Sequence, residues 1–348
     1  MPGLSWCPGS RGPHRRGSRP RARRRPLRFR QGLGGYPASS RVRPAQEART
    51  IVNPARRTAH RYTDIDGIRV FYREAGPPDA PVVLLPHGYP SSSFQFRALM
   101  PALADRWRLV APDFPGFGYS DTPDPADFSY TFDGYADFLE RFTDALTLRR
   151  YALYLHDYGS QIGLRLAMRA PERVAALVIQ NGDIYEDELG PKYKPLKEYW
   201  DHPTPDGRAR LLEAVTEEGL RDEFVGEIDE RLVDRISPDL WKLSWPLLAS
   251  PRRREIMVGL MEGLRENLDW FPKYQRYLRE HRPETLIAWG PQDGYMPEGA
   301  ARAYLRDLPD AELHLLDGGH WLLETHLEEV VALVRDFLGR VHVQQPAQ

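Results

Sequence analysis

The chain has 348 residues, 41% hydrophobic and 28% charged, a composition typical of a globular protein long enough for one large α/β domain with an insertion. Its single cysteine, Cys7, excludes an intramolecular disulfide framework and a cysteine metal cluster. No apolar run approaches the roughly eighteen residues that a membrane-spanning helix needs. We therefore expect a cytoplasmic protein without a membrane partner.

The net charge of −1 conceals a strongly basic amino-terminal segment. Residues 1–60 hold 15 arginines, no lysine and one acidic residue, Glu47, which leaves 33 basic and 48 acidic residues in the rest of the chain. The segment has no apolar periodicity with which to bury a core, so we predict a disordered tail over 1–60. No apolar stretch follows its arginines, which argues against a secretory signal. A transit peptide or a nucleic-acid arm stays open on composition, but charge runs are weak signals and no nucleic-acid partner is expected.

From residue 62 onward, predicted strands and helices alternate. The predicted strands are IRVFYREAG, PVVLLPHG, WRLVAPDF, YALYLHD, RVAALVIQN, ETLIAWG and AELHLLDGG. The predicted helices are SSSFQFRALMPALAD, YTFDGYADFLERFTDAL, GSQIGLRLAMRA, GAARAYLRDL and EEVVALVRDFL. This alternation predicts an α/β core over 61–182 and 280–340, with a mostly parallel sheet flanked by helices. Residues 341–348 would form a carboxyl-terminal tail.

A helical segment, 183–279, interrupts the alternation after the predicted core strand RVAALVIQN. It is dense in tyrosine, tryptophan and charged residues, as in KYKPLKEYW, DLWKLSWPLL and NLDWFPKYQRYL. Open α/β sheets bind ligands at the carboxyl ends of their strands, so we predict that this segment forms a helical cap there. Aromatic residues at helical spacing are more often packed in a core than placed on a pocket wall, so the role of each one stays open.

The stretch LYLHDYGSQIG, residues 153–163, predicts a strand, a sharp turn and a helix, with Asp157 at the turn. A nucleophile elbow of this kind needs small neighbours, such as Gly159. The G-x-S-x-G frame of serine hydrolases would need glycine at position 158, so we interpret Ser160 as a helix-capping residue. A carboxylate is ionised at pH 7 and can displace a leaving group from saturated carbon, giving an ester that water can cleave. Substrates without an acyl group, such as epoxides and alkyl halides, suit this chemistry.

Cleavage of that ester needs a base and an oxyanion hole. His320, in the loop after AELHLLDGG, is the candidate base, because neutral imidazole activates water near pH 7. Asp293, after ETLIAWG, would orient His320 and stabilise its imidazolium. The backbone N–H groups of Tyr89 and Tyr158 would form the oxyanion hole, and Tyr89–Pro90 is a candidate cis peptide bond.

Other titratable residues near these motifs receive structural interpretations. His87 and His156 are expected to be buried and bonded to nearby carbonyls, and Asp113 to stabilise its loop. Asp183, which follows the predicted strand RVAALVIQN, remains the alternative to Asp293. No metal-ligand spacing, phosphate loop or dinucleotide fingerprint occurs, so no metal or cofactor is expected.

Over residues 62–340 these motifs together resemble the α/β-hydrolase fold superfamily. HGYPSSSFQFRALMPALADRWRLVAPDFPGFGYSD and HDYGSQIG are similar to its branch with an aspartate nucleophile, the epoxide hydrolases and haloalkane dehalogenases. The order Asp157, Asp293, His320 matches the order nucleophile, acid, histidine in that superfamily. The resemblance implies a small-molecule substrate, an epoxide or an alkyl halide.

The two subfamilies differ in how they hold the leaving group. Dehalogenases resembling this chain use a tryptophan after the nucleophile and commonly an asparagine in an HGNP loop, where this chain has Tyr158 and Tyr89. Epoxide hydrolases polarise the epoxide oxygen with two cap tyrosines. By this resemblance, Trp200 and Trp245 are the candidate halide ligands in place of the usual pair. The candidate contacts to an epoxide are Tyr185, Tyr193, Tyr199, Phe271 (in the tyrosine place of an NWYR-like pattern) and Tyr274. Epoxide opening is favoured over dehalogenation, and a non-catalytic ligand receptor with the same fold is the alternative of another class.

Overall fold

Eight strands form one sheet in the order β1-β2-β4-β3-β5-β6-β7-β8. The computed structural model describes residues 57–226 and 228–343, the side chains of 342 and 343 excepted. The strands are β1 (Ala59–Ile65), β2 (Ile68–Ala75), β3 (Val82–Leu84), β4 (Arg108–Pro112), β5 (Tyr151–His156), β6 (Val174–Gln180), β7 (Thr285–Trp289) and β8 (Glu312–Leu315). β2 pairs antiparallel with β1 and β4, and all other neighbours in the sheet are parallel. The predicted α/β class with a mostly parallel sheet is confirmed.

Helices cover both faces of the sheet, and the central strands are therefore apolar on both sides. The helices outside the β6–β7 connection are α1 (Leu99–Leu103), α2 (Phe132–Ala145), α3 (Tyr158–Arg169), α11 (Glu298–Ala303), α12 (Leu322–Thr325) and α13 (Leu327–Val343). Along β5, Leu153 and Leu155 belong to one buried cluster, whereas Ala152 and Tyr154 belong to a second. Successive side chains of a strand point to opposite faces, so the continuous apolar run of β5 supplies both layers of the core.

A helical insertion, residues 186–281, connects β6 to β7. Its described helices are α4 (Tyr193–Asp201), α5 (Pro205–Ala214), α6 (Glu217–Val225), α7 (Glu230–Val233), α8 (Asp239–Leu248), α9 (Pro251–Asn267) and α10 (Phe271–His281). α5, α6 and α9 begin after a threonine or serine whose side chain accepts a backbone N–H of the first turn. That this insertion acts as a separate cap stays a prediction.

The ends of the core differ by a few residues from the predicted ones. β1 begins at Ala59, so the predicted tail over 1–60 overlaps the first strand, and α13 continues to Val343, past the predicted end at 340. The rest of the tail, with Cys7, lies outside the described residues. Within the described part of the chain, no helix is both long and apolar enough to cross a membrane.

The segment SSSFQFRALMPALAD is not one continuous helix. It forms a 3-10 turn over Ser93–Phe96 and then the short helix α1. Asp113 Oδ1 accepts the backbone N–H of Ser93 at 2.8 Å, which ties the start of the segment to the loop after β4. This long-range hydrogen bond is not visible in the apolar spacing of the segment.

The packing of β5 gives a first prediction. Leu153 is fully buried beneath the elbow, so Leu153→Ala should lower the free energy of unfolding by about 2–5 kcal/mol. Leu243, which is 53% exposed, is the matched control, and Leu243→Ala should change it by less than about 0.5 kcal/mol. Urea unfolding of both variants measures the difference. Equal effects would contradict the assignment of Leu153 to the core.

Candidate active site

Asp157 occupies the sharp turn between β5 and α3, as the sequence pattern predicts. Its backbone has φ 51° and ψ −135°, a conformation that costs free energy for a residue with a Cβ. Two glycines make the turn sterically feasible. A Cβ on Gly159 would overlap the carbonyl oxygen of Pro86, and a Cβ on Gly88 would overlap the carboxylate of Asp157 itself. The strained turn therefore directs the Asp157 side chain from the strand end into a cavity.

His320 lies between two carboxylates. Its Nδ1 is 2.6 Å from Asp293 Oδ2, and its Nε2 faces Asp157 Oδ2 at 3.6 Å. The first distance is that of a short charge-assisted hydrogen bond, whereas the second is an ion-pair distance. The three predicted residues, from the loops after β5, β7 and β8, thus meet at the carboxyl edge of the sheet.

Asp293 is held by four hydrogen bonds. Besides His320, Oδ2 accepts the side-chain amide of Asn181 at 2.8 Å, and Oδ1 accepts the backbone N–H groups of Tyr295 at 2.9 Å and Met296 at 3.1 Å. Asn181 also bonds the backbone of the β7 end through Gly290. Sequence reasoning did not identify this role of Asn181, which fixes the carboxylate that orients the imidazole.

Two backbone N–H groups point at the Asp157 carboxylate. Tyr89 N–H donates to Oδ1 at 2.7 Å, and the N–H of Tyr158 also stabilises the charged carboxylate. The Tyr89–Pro90 bond is cis, as the sequence suggested. These are the two N–H groups predicted for an oxyanion hole.

The electrostatics of the cluster favour a proton on the imidazole. Burial alone would lower the pKa of His320, but the charge and hydrogen bond of Asp293, followed by the charges of Asp157 and Glu223, raise it to about 9. Burial raises the pKa of Asp157, although His320 and the two backbone N–H groups oppose this. The resting site therefore favours an imidazolium beside Asp157.

The other two histidines of these motifs are structural, as expected. His87 is bonded through Nδ1 to the Gly88 carbonyl and through Nε2 to the N–H of Phe114, both at 3.0 Å, and burial lowers its pKa to about 4. His156 is bonded to the His320 carbonyl and to the Gln95 amide, each at 3.1 Å, and burial lowers its pKa well below the usual range. Both rings are fully bonded, which leaves neither available as a base.

Among the acidic residues, Asp113 stabilises its loop and Asp183 does not reach His320. Asp113 accepts the backbone N–H groups of Ser93 and Tyr119, each at 2.8 Å. Asp183 Oδ1 accepts the Gln161 amide at 2.9 Å, and burial raises its pKa to about 7. The geometry therefore favours Asp293 over Asp183 as the partner of His320.

The interpretation of Ser160 as a capping residue is wrong. Its hydroxyl is fully buried without a hydrogen-bond partner among the described residues, and α3 has no side-chain cap. Ser160 instead closes the turn with its backbone, donating its N–H to the Asp157 carbonyl at 2.9 Å.

A cavity of about 580 Å³ opens above Asp157, a size suited to a small molecule. The core contributes the predicted residues to its wall, and the helical insertion contributes mostly apolar ones. Its described lining is Tyr89, Asp157, Tyr158, Pro191, Lys192, Tyr193, Pro195, Leu196, Leu211, Ala214, Asp222, Glu223, Met261, Leu264, Asp293, Tyr295, Met296, His320 and Trp321. Sequence reasoning missed Glu223 and Tyr295, because neither belongs to a recognisable motif.

Among the described residues, no group of three or more histidine, cysteine or acidic side chains is arranged to hold a metal ion.

Two tyrosines predicted to contact substrate are engaged elsewhere. The Tyr185 hydroxyl donates to Asp307 at 2.6 Å, and the Tyr199 hydroxyl donates to Glu262 at 2.6 Å. Neither side chain belongs to the described cavity wall. Their assignment as substrate contacts is therefore corrected, and Tyr193 is the tyrosine of this group that lines the cavity.

Three further predicted contacts, Trp200, Phe271 and Tyr274, are corrected in the same way. Trp200 donates its indole N–H to the Met261 carbonyl at 3.0 Å. Phe271 and Tyr274 are buried in the main core, where the Tyr274 hydroxyl bonds Asn267 at 3.2 Å. Packing satisfies each of these side chains away from the cavity.

Comparison with known proteins is consistent with this geometry. Residues 81–327 match the family model described as alpha/beta hydrolase fold. The chain is 33% identical over 282 residues to an uncharacterized hydrolase of Saccharomyces cerevisiae, covering 80% of this chain and 96% of the yeast protein. It is 38% identical over 120 residues to a haloalkane dehalogenase of Mycolicibacterium paratuberculosis, covering 34% of this chain and 40% of that protein.

Among solved structures, the epoxide hydrolase CorEH superposes with a TM-score of 0.67 at 20% identity, covering 82% of this chain and all of that one, a likeness of fold alone. The family match and the yeast relative establish that the chain belongs to the α/β-hydrolase fold family.

Proposed function

We propose that this protein is a hydrolase that opens epoxides to diols through an ester on Asp157. One observation carries the proposal: His320 lies between the buried Asp293 and the elbow carboxylate of Asp157, on the wall of a cavity of small-molecule size. A receptor would have no need of an imidazole poised between two carboxylates. The expected partner is a small-molecule substrate.

In the first step, Asp157 attacks a ring carbon of the epoxide. The carbon–oxygen bond breaks and an alkyl ester forms, while the ring oxygen becomes an alkoxide that takes up a proton. Tyr193 and Tyr295 line the cavity with Asp157. The Tyr295 hydroxyl donates to Glu223 at 3.3 Å, and the Tyr193 hydroxyl interacts with Asp183. Tyr193 is one of the cap tyrosines that the sequence suggested, whereas Tyr295, in the loop after β7, was not among them.

In the second step, His320 removes a proton from a water molecule, which attacks the ester carbonyl. The N–H groups of Tyr89 and Tyr158 then stabilise the oxyanion. Ester formation removes the charge of Asp157, which is one of the charges that raise the pKa of His320. The imidazole therefore loses its proton more easily once the ester exists, when a base is needed.

The cavity wall supports an oxygen leaving group better than a halide. Trp321 is the one tryptophan of the described lining, and its indole N–H already donates to the Glu223 carbonyl at 2.8 Å. Trp200 and Trp245, considered above as halide ligands, do not belong to that lining. Dehalogenation on the same three residues is the second candidate, favoured by the sequence similarity to haloalkane dehalogenases.

Replacing the nucleophile should separate catalysis from folding. We expect Asp157→Ala to lower turnover of styrene oxide by at least about 10³-fold. The variant should still unfold cooperatively, because the unpaired Tyr89 N–H costs about 1–3 kcal/mol, offset by removal of a charge that burial disfavours. Thermal unfolding and product assays measure the two effects.

Asp66→Ala is the matched control, since Asp66 also has a positive φ, 52°, but lies in the exposed β1–β2 turn. Its activity should equal that of the unmodified protein. An Asp157→Ala protein without a cooperative transition would show that Asp157 is structural.

Removing the base should trap the ester. His320→Gln still allows attack by Asp157 but slows hydrolysis by orders of magnitude, so intact-protein mass spectrometry should detect an adduct. An epoxide adds its full mass, whereas an alkyl halide adds its mass less one hydrogen halide, and peptide mapping should place either on Asp157. His314→Gln in β8 should turn over normally without an adduct. A label on another residue would contradict the assignment of Asp157 as the nucleophile.

The pH dependence of ester hydrolysis tests the role of His320. The single-turnover hydrolysis rate should rise with pH as the imidazole loses its proton, with a midpoint below about 9, because the ester lacks the Asp157 charge that helps to raise this pKa. Rapid quenching between pH 5 and 10 measures the rate of ester loss, and the trapped His320→Gln ester should lack this rise. A pH-independent rate in the unmodified protein would contradict the assigned base.

A further inference from the structure

Glu223, on α6, shares the cavity wall with Asp157, His320 and Tyr295. It belongs to the helical insertion, whereas Asp157, Asp293 and His320 belong to loops at the carboxyl ends of the strands. Among the described lining residues, Asp157, Asp222, Glu223 and Asp293 carry carboxyl groups. Asp157 is the proposed nucleophile. The carboxylate of Asp293 accepts hydrogen bonds from His320, Asn181 and its own loop, and Asp222 is exposed. Of these four residues, Glu223 is the one that is half-buried and has no role in the steps described above.

The structure fixes Glu223 relative to the histidine loop. Its backbone carbonyl accepts the indole N–H of Trp321, the residue that follows His320, at 2.8 Å. The next residue on the helix, Phe224, packs on the Trp321 ring with centroids 4.4 Å apart. The Tyr295 hydroxyl donates to Glu223 Oε1 at 3.3 Å. Contacts from two loops of the core therefore hold this part of α6 at the site.

We propose that Glu223 is the acid that donates a proton to the ring oxygen when Asp157 opens the epoxide. This inference rests on the proposed epoxide hydrolysis and deepens it, because it restricts the leaving group to an oxygen that must be protonated. A halide leaves as a stable anion and has no use for such a donor.

The protonation state of Glu223 suits this role. Burial raises its pKa to about 7, an effect that Asp157 reinforces and that Lys192, His320 and Tyr295 oppose. A carboxyl group with this pKa carries a proton in a large fraction of molecules near neutral pH. General acids work best when their pKa lies near the working pH.

The protons that are released and taken up are equal in number over one turnover. Attack by Asp157 breaks the ring carbon–oxygen bond, and the proton of neutral Glu223 converts the alkoxide to a hydroxyl, leaving Glu223 ionised. In the hydrolytic step His320 takes one proton from water and returns it to the departing alcohol. The second water proton, released as Asp157 regains its carboxylate, restores neutral Glu223. The net reaction is epoxide plus water to diol.

The test measures ester formation in a background where the ester persists. His320→Gln and the double variant Glu223→Gln/His320→Gln are mixed with styrene oxide or 1,2-epoxyoctane, quenched, and followed by intact-protein mass spectrometry. At pH 7 the double variant should form the Asp157 ester about 10²-fold more slowly or worse. Glu218→Gln/His320→Gln is the matched control, since Glu218 lies exposed on the same helix, and its rate should equal that of His320→Gln.

A pH series separates proton donation from structural support. In His320→Gln, ester formation should slow as pH rises and Glu223 loses its proton. The midpoint should lie above about 7, because the removed imidazolium charge is one that lowers the pKa of Glu223. The double variant should lack this alkaline decline.

Each outcome points to one conclusion. If neither epoxide labels Asp157 in His320→Gln, the proposed function fails and this inference falls with it. If labelling occurs at the same rate in the double variant, epoxide hydrolysis stands and Glu223 is not the donor. A slower double variant that keeps the alkaline decline would show that Glu223 only supports the site, which also overturns the inference.

Discussion

The hydrogen bond between His320 Nδ1 and Asp293 Oδ2 is the contact on which the site depends. At 2.6 Å, with Asp293 buried and also bonded by Asn181 and two backbone N–H groups, it fixes the ring so that Nε2 faces Asp157. A buried carboxylate is costly unless its lone pairs are satisfied, and here both oxygens are. Parallel strands bring this about, because β5, β6 and β7 end at one edge of the sheet and deliver Asp157, Asn181 and Asp293 to neighbouring positions.

Sequence reasoning succeeded where strand ends decide the geometry. The apolar run before Asp157 specifies a buried strand, and the following glycine-bearing turn specifies where the side chain emerges, so the location of Asp157 needs no knowledge of packing. Asp293 and His320 follow predicted strands of the same parallel sheet, which sends their loops to the same edge. The three side chains that meet at the carboxyl edge were therefore predictable, whereas their distances were not.

The sequence predicts that the insertion is helical, but it does not predict which of its residues line the cavity. Helical spacing indicates which residues share a face, yet not which face turns toward the sheet. Tyr185 illustrates this limit, because its partner Asp307 lies 122 residues away along the chain. Glu223 illustrates the converse, since it sits within the charged stretch EEGLRDEFVG, which is typical of a solvated helix. It is half-buried, and it is contacted by Trp321 and Tyr295, residues of distant loops.

The cavity groups three acids, Asp157, Asp293 and Glu223, around one imidazole, and this excess of negative charge has a consequence for the proposed reaction. The charges of Asp293, Asp157 and Glu223 each raise the pKa of His320, so the protonated ring is favoured while Asp157 is ionised. Converting Asp157 to a neutral ester removes the charge nearest to Nε2, which lowers the affinity of the ring for its proton at the moment when hydrolysis requires a base. The same loss of charge removes a repulsion that favours the neutral form of Glu223, so its proton leaves most easily as the ester forms. Whether Asp157 is a free carboxylate or an ester thus changes the proton affinity of both His320 and Glu223. This single change of charge favours proton donation by Glu223 during ester formation and proton uptake by His320 during ester hydrolysis.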